Sequence, residues 1–280
     1  MNTRIIIDST VDIAEAYRKR ARVVPLTIRF GDQELTDGVT VTRQKFYEML
    51  IESDALPTTS QPTPAAFAAE YEALRGEEAI VIAISARLSG TYQSACIAAQ
   101  DYPNVRVIDS GSASIGAGIL AEYAIDCAEA GMPAEQIEAL VEKKRADVCV
   151  IALLDTLEYL KRGGRISKTV AAAGALLNIK PVITIEDGAI ALIGKARGSK
   201  QGNNLLVKKI QESGGVDFSL PVLLGYTGVT DVLLKKYVED SRALWENGLA
   251  ELESVQASSV IGAHAGPGTV IAAFFRKENG

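Results

Sequence analysis

Three times in the first half of the chain, a short apolar run leads into a hydroxyl-rich turn and then a helical stretch. Ile5–Asp8 leads into Ser9-Thr10 and a helix expected over Val11–Arg22. Ala79–Ile84 leads into Ser85–Gly90 and a helix over Thr91–Gln100, and Val105–Asp109 into Ser110-Gly111-Ser112 and a helix ending near Ala130. Strands separated by helices need crossover connections, which set the strands parallel and place helices on the sheet faces. Between the first two units, Val23–Phe30 and Glu34–Val41 predict an added strand pair around Gly31-Asp32, and Arg43–Glu52 predicts a helix.

The second half follows another pattern. Cys149–Leu154 reads as a buried strand, and Asp155–Arg162 as a helix opened by a capping box of Asp155 and Glu158 and closed by Gly163-Gly164. Asp187-Gly188 between Pro181–Ile185 and Ala189–Ile193 is a hairpin signal. Further strands are expected over Pro221–Tyr226, Glu251–Gln256, Ser258–Ala263 and Thr269–Phe275, with a helix over Asp231–Asn247. The fold class is therefore α/β in two domains. Residues 1–147 form a mostly parallel sheet with crossover helices, and residues 148–280 a mixed sheet with helices.

A hydrophobic content of 48% against 23% charged residues suits a full core. Apolar runs such as Val170–Leu177 fall short of the roughly 20 residues that span a bilayer. The first residues lack the anatomy of a signal peptide, so a cytoplasmic protein is expected. A net charge of −6 argues against nucleic-acid binding. Cys96, Cys127 and Cys149 have no metal-ligand spacing, and neither a metal nor a cofactor is expected.

The chemistry lies in the turns. Carboxyl ends of parallel strands face one crevice, and helix N-termini there favour an anion. Pro57–Pro64 adds hydroxyls on an extended, proline-bounded segment, with Thr63 as N-cap and Pro64 at the first helical position. Any one such turn is explained by capping alone. Leu88-Ser89-Gly90-Thr91-Tyr92-Gln93-Ser94 gathers more hydroxyls than capping requires. His264, the sole histidine, sits in a glycine-rich turn expected directly after a strand, where a ring N–H can reach an anion. Lys161, Arg162, Arg165 and Lys168, then Lys195, Arg197 and Lys200, form basic clusters. Such clusters are either solvated surface or docking points for an acidic or phosphate-bearing partner.

Seven stretches in order resemble the DegV family over nearly the whole chain. They are Asp8–Asp12, Thr59–Pro62, Leu88–Ser94, Asp109-Ser110 with Ser112–Ser114, Leu157–Ile166, Asn178–Pro181 with Glu186–Gly188, and Ile261–Gly268. The resemblance implies a long-chain fatty acid lying between two α/β domains. It implies a carrier rather than an enzyme acting alone: the lipid-binding subunit of bacterial fatty acid kinase, whose ATP-binding partner phosphorylates the carboxylate to an acyl phosphate. By motif, Thr59 and Ser89, with the adjoining Gly90, would hold the carboxylate, and His264 would join that network. Arg197 resembles an arginine that engages the kinase subunit, and transient contact with a membrane surface fits the same role. Ala86 and Val270–Ala273 depart from the family pattern. Val170–Leu177 is a candidate lining for the lipid tail.

Two other readings remain open from the residues. Ser89 with His264 could serve an acyl hydrolase or transferase, although no GxSxG turn is present. The same donors could bind a phosphate ligand in a regulator, although no Walker or GxGxxG motif supports this.

Overall fold

The computed structural model describes residues 3–53, 55–166, 178–245 and 252–277. Strands β1 (Arg4–Asp8), β2 (Ala21–Val24), β3 (Thr27–Phe30) and β4 (Gln33–Thr36) open the chain, followed by helix α1 (Arg43–Glu52). Strand β5 (Thr58–Ser60), α2 (Pro64–Glu72), β6 (Ala79–Ala83), α3 (Thr91–Ala99), β7 (Val105–Asp109), α4 (Ile115–Glu129) and α5 (Ala134–Lys144) complete the first half. The strands β2-β1-β6-β7 form one parallel sheet, and β4-β3-β5 a small antiparallel one. β6 is buried at every position, as a central parallel strand must be when helices cover both faces.

The second half contributes β8 (Val148–Leu153), α6 (Glu158–Arg162), β9 (Ile179–Glu186), β10 (Ala189–Arg197), α7 (Gly198–Glu212) and β11 (Leu223–Tyr226). It continues with α8 (Val232–Asp240), α9 (Arg242–Trp245), β12 (Ser254–Gln256), α10 (Ser259–Ala265) and β13 (Val270–Phe275). Its six strands run in the order β10-β9-β8-β13-β11-β12, antiparallel except between β11 and β12. The molecule is thus mixed α/β, with a parallel sheet and a mixed sheet. Asp187 and Gly188 both take positive φ, the geometry of a tight hairpin turn between β9 and β10.

Several expected elements fold otherwise. Only a single 3₁₀ turn, Glu15–Tyr17, forms within Val11–Arg22, and β2 replaces its end. The segment is anchored to distant groups: the Asp12 N–H donates to the Ser114 carbonyl and the Ala14 N–H to the Glu122 carboxylate. Ser258–Ala263 is not a strand but mostly helix α10, capped by the Ser258 hydroxyl, so His264 lies in a helix. Asp155 does not cap α6; its carboxylate pairs with Lys180 and the helix starts at Glu158. The expected helix over Asp231–Asn247 breaks into α8 and α9 at Ser241, and α7 has no counterpart in the sequence reading.

Helix α4 joins the two sheets. It packs on β1 and β6 of the first and on β8, β11 and β13 of the second, and Ile115, Ile119 and Leu120 are fully buried there. A Cβ at Gly118 would lie 1.9 Å from the Asp12 carbonyl oxygen, so only glycine permits that approach. Among the described residues, no helix is long and apolar enough to cross a membrane.

Glu122 of α4 is buried, with the Ala14 N–H as its partner at 2.7 Å. Desolvation pushes its carboxyl up from 4.5 to about 8. The folded state therefore holds a proton that the unfolded chain has lost, and stability declines as pH rises from about 4.5 to about 8. Glu122→Gln should flatten that decline in thermal melts; an unchanged pH profile would show that Glu122 is already ionised.

Candidate binding site

A cavity of about 360 Å³ lies over one face of the mixed sheet, within the size range of small-ligand sites. Its floor follows from strand alternation. Val150, Ala152 and Leu154 are successive inward positions along β8 and the residue after it. Ile183 of β9 and Ile271 of β13 flank Ala152 in register, and Ile190 of β10 flanks Ile185. Leu26, Ile84, Leu88 and Ala113 from the first half, with Val260 and Ile261 of α10, complete an apolar lining.

Polar groups gather at Thr59, Ser60, Gln61, Ser89, Arg165 and His264. Thr59 is the inward residue of β5, between exposed neighbours. Its Oγ1 lies 2.8 Å from His264 Nε2. His264 Nδ1 is buried and has no hydrogen-bond partner among the described residues. Burial, with Arg165 nearby, lowers the imidazole from 6.5 to about 4, so the ring is neutral at physiological pH. A neutral ring carries one N–H, and a buried orphan donor is rarer than an under-satisfied acceptor. The proton therefore belongs on Nε2. Thr59 accepts it, and its own hydroxyl proton is left to donate into the cavity.

The Ser89 hydroxyl shares a 2.8 Å bond with Thr91 Oγ1 and caps the Thr91 N–H at 3.3 Å. Gly90 does not line this cavity; with Ser89 and Arg165 it lines a neighbouring open pocket of about 480 Å³. A Cβ there would meet Gln61 Oε1 at 2.1 Å. Glycine thus lets Gln61 cross the loop and donate to Ser94 at 3.0 Å, tying β5 to α3. Thr59, Ser89 and His264 open onto one cavity.

In the sequence Arg165 belongs to a basic cluster open to two explanations, solvated surface or docking point. Its Nε donates to the Leu88 carbonyl at 3.2 Å and its guanidinium to the Gly163 carbonyl, which sets a half-buried cation in the cavity wall. The only signal in the sequence was its place directly after the Gly163-Gly164 stop. Arg197 lies elsewhere, exposed at the junction of β10 and α7. Lys168 and Val170–Leu177 lie outside the described residues.

The three hydroxyl turns do not share one crevice. Ser110 donates its hydroxyl to the Ser112 carbonyl, and this turn lines a separate polar cleft of about 910 Å³ with Arg87, Arg145 and Arg276. From that region Ser114 reaches the apolar cavity instead. Ser89 and His264 are not hydrogen-bonded to each other, and no carboxylate among the described residues meets Nδ1. A nucleophile–base–carboxylate chain is therefore not assembled.

A model of uncharacterised proteins of the DegV family matches residues 2–277. A DegV domain-containing protein of Caldanaerobacter subterraneus is 35% identical over 271 residues, covering 94% of this chain and 95% of the relative. A structure reporting fatty acid binding by a DegV family protein from Thermus thermophilus superposes with a TM-score of 0.86 at 33% identity, covering 98% and 100% of the two chains. A stearic-acid-binding protein from Eubacterium ventriosum gives 0.85 at 26% identity, with 98% of each chain covered.

The lowered His264 pKa means that its stabilising neutral form is fully present above 6.5 and is lost as pH falls through about 4. ¹⁵N NMR of the single imidazole should show a neutral Nε2–H ring down to that region. A midpoint near 6.5 would contradict the burial argument.

Proposed function

Because the chain belongs to the DegV family, we propose that it binds a long-chain fatty acid, with the tail along the apolar floor and the carboxylate at Thr59, Ser89 and His264. The observation that carries this reading is one cavity with apolar walls and a cluster of hydroxyl donors beside a cation. Burying about 14 methylenes contributes on the order of 11 kcal/mol. Lost freedom and carboxylate desolvation offset a substantial part. The head group therefore needs several donors. The Thr59 hydroxyl, the Ser89 hydroxyl, the nearby Gly90 segment and the Arg165 guanidinium supply them, and Arg165 also balances the charge.

On this reading the chain divides near Asp147, with the lipid between the two units, and works in the cytoplasm with transient contact to a membrane surface. It is a carrier that presents the carboxylate to a separate ATP-dependent kinase subunit for acyl phosphate formation. Two features favour that role: an open pocket of about 480 Å³ adjoins the cavity at Ser89 and Arg165, and Arg197 is exposed for docking. The hydrolase reading is disfavoured because Ser89 is bonded to Thr91 rather than to a base.

Native mass spectrometry of the purified protein should show a co-purified fatty acid, and stearate rather than nucleotides should raise its melting temperature. Thr59→Ala or Ser89→Ala should weaken stearate binding by about tenfold, the scale of one hydrogen bond to a charged group. Arg197→Ala should bind normally but be phosphorylated poorly with the kinase subunit present. An affinity loss confined to Arg197→Ala would overturn these assignments.

A further inference from the structure

Gly163 does not need to be glycine for its own backbone. It closes α6 at φ −68° and ψ −10°, values open to any residue, whereas Gly164 after it takes φ +70°. What Gly163 cannot accommodate is a side chain. A Cβ there would lie 2.2 Å from His264 Nδ1 and 2.8 Å from Cε1, well inside contact distance. Helix α10 returns the arrangement: a Cβ at Gly266 would lie 2.3 Å from Tyr159 Cδ2. The two helices therefore interlock, the ring of each seated on a glycine of the other segment. Gly266, at φ +71°, has a backbone reason to be glycine as well; Gly163 has none.

The seat decides what the imidazole can do. With Nδ1 lying where a Gly163 side chain would stand, no donor or acceptor among the described residues reaches that nitrogen. The opposite nitrogen is delivered to Thr59 at 2.8 Å. A ring pushed outward by one methyl group would lose that approach, because a hydrogen bond weakens steeply once its distance and angle are disturbed.

We propose that Gly163 is a positioning residue for the head-group site: its missing side chain seats His264 with Nδ1 against α6 and Nε2–H on Thr59. The seating stands on contacts within the chain, and only its effect on ligand affinity rests on the lipid reading. His264 is the only histidine, so its two ring nitrogens give isolated ¹⁵N signals. Gly163→Ala should shift both signals and weaken stearate binding about tenfold, the loss expected for one mispositioned hydrogen bond. Gly164→Ala is the control. It strains a positive-φ backbone but meets nothing within 4 Å, so it should lower the melting temperature and leave the His264 signals in place.

Unchanged His264 signals in folded Gly163→Ala would overturn the proposal. If Gly163→Ala does not fold, the double variant with His264→Ala should fold again, since the ring it collides with is gone; failure of the double variant would also overturn it. A wild-type protein that ignores stearate, while its His264 signals still move in Gly163→Ala, would refute the lipid reading and leave the positioning role intact.

Discussion

The buried carboxylate of Asp12 joins the two halves of the molecule. One oxygen lies 2.8 Å from an Arg43 nitrogen and accepts the Ser258 N–H at 2.9 Å; the other accepts the Ser114 hydroxyl at 2.8 Å. Asp37 takes the next N–H, that of Ser259. Two acidic groups from the first half thus receive the start of α10, the helix that carries His264. Burial raises Asp12 to about 6, and Arg43 is the largest influence opposing that rise. A buried charge is tolerated when an opposite charge and further donors surround it, and here they do.

The same carboxylate accounts for a local strain. Ser114 is one of the few non-glycine residues at positive φ, and its conformation is held at both ends by Asp12, through the hydroxyl and through its carbonyl. Strained backbone persists where surrounding bonds over-determine it, and such places often border functional sites. Ser114 lines the cavity directly. The joint between the halves and the wall of the site are one piece of structure.

Within the cavity, apolar and polar tasks fall to different elements. The mixed sheet contributes a floor of alternate aliphatic side chains, a surface that suits apolar groups of no fixed shape. The hydroxyls come from β5 and the loop before α3, on the first half, while the imidazole comes from α10. The site is complete only when β5, the loop before α3 and α10 meet. Small residues permit that meeting: Gly90 yields to Gln61, Gly163 to His264 and Gly118 to the Asp12 backbone.

Much of this was legible residue by residue. Apolar runs followed by turns identified β1, β6 and β7 and their parallel pairing, and Asp187-Gly188 identified the β9–β10 hairpin, because strand periodicity and turn chemistry are local properties. The motifs around Thr59, Ser89 and His264 were visible for the same reason. Val11–Arg22 and Ser258–Ala263 fold differently from their local pattern, and the groups that anchor them, Ser114, Glu122, Asp12 and Asp37, lie more than 90 positions away in every case. The basic cluster that holds Arg165 leaves two readings open in the sequence, because its carbonyl partner at Leu88 is 77 positions away. The sequence by itself determined the parallel strands β1, β6 and β7 and the β9–β10 hairpin, and it nominated Thr59, Ser89 and His264. Only the tertiary structure decided which of those side chains share a cavity, since convergence depends on distant groups satisfying one another's hydrogen bonds once water is excluded.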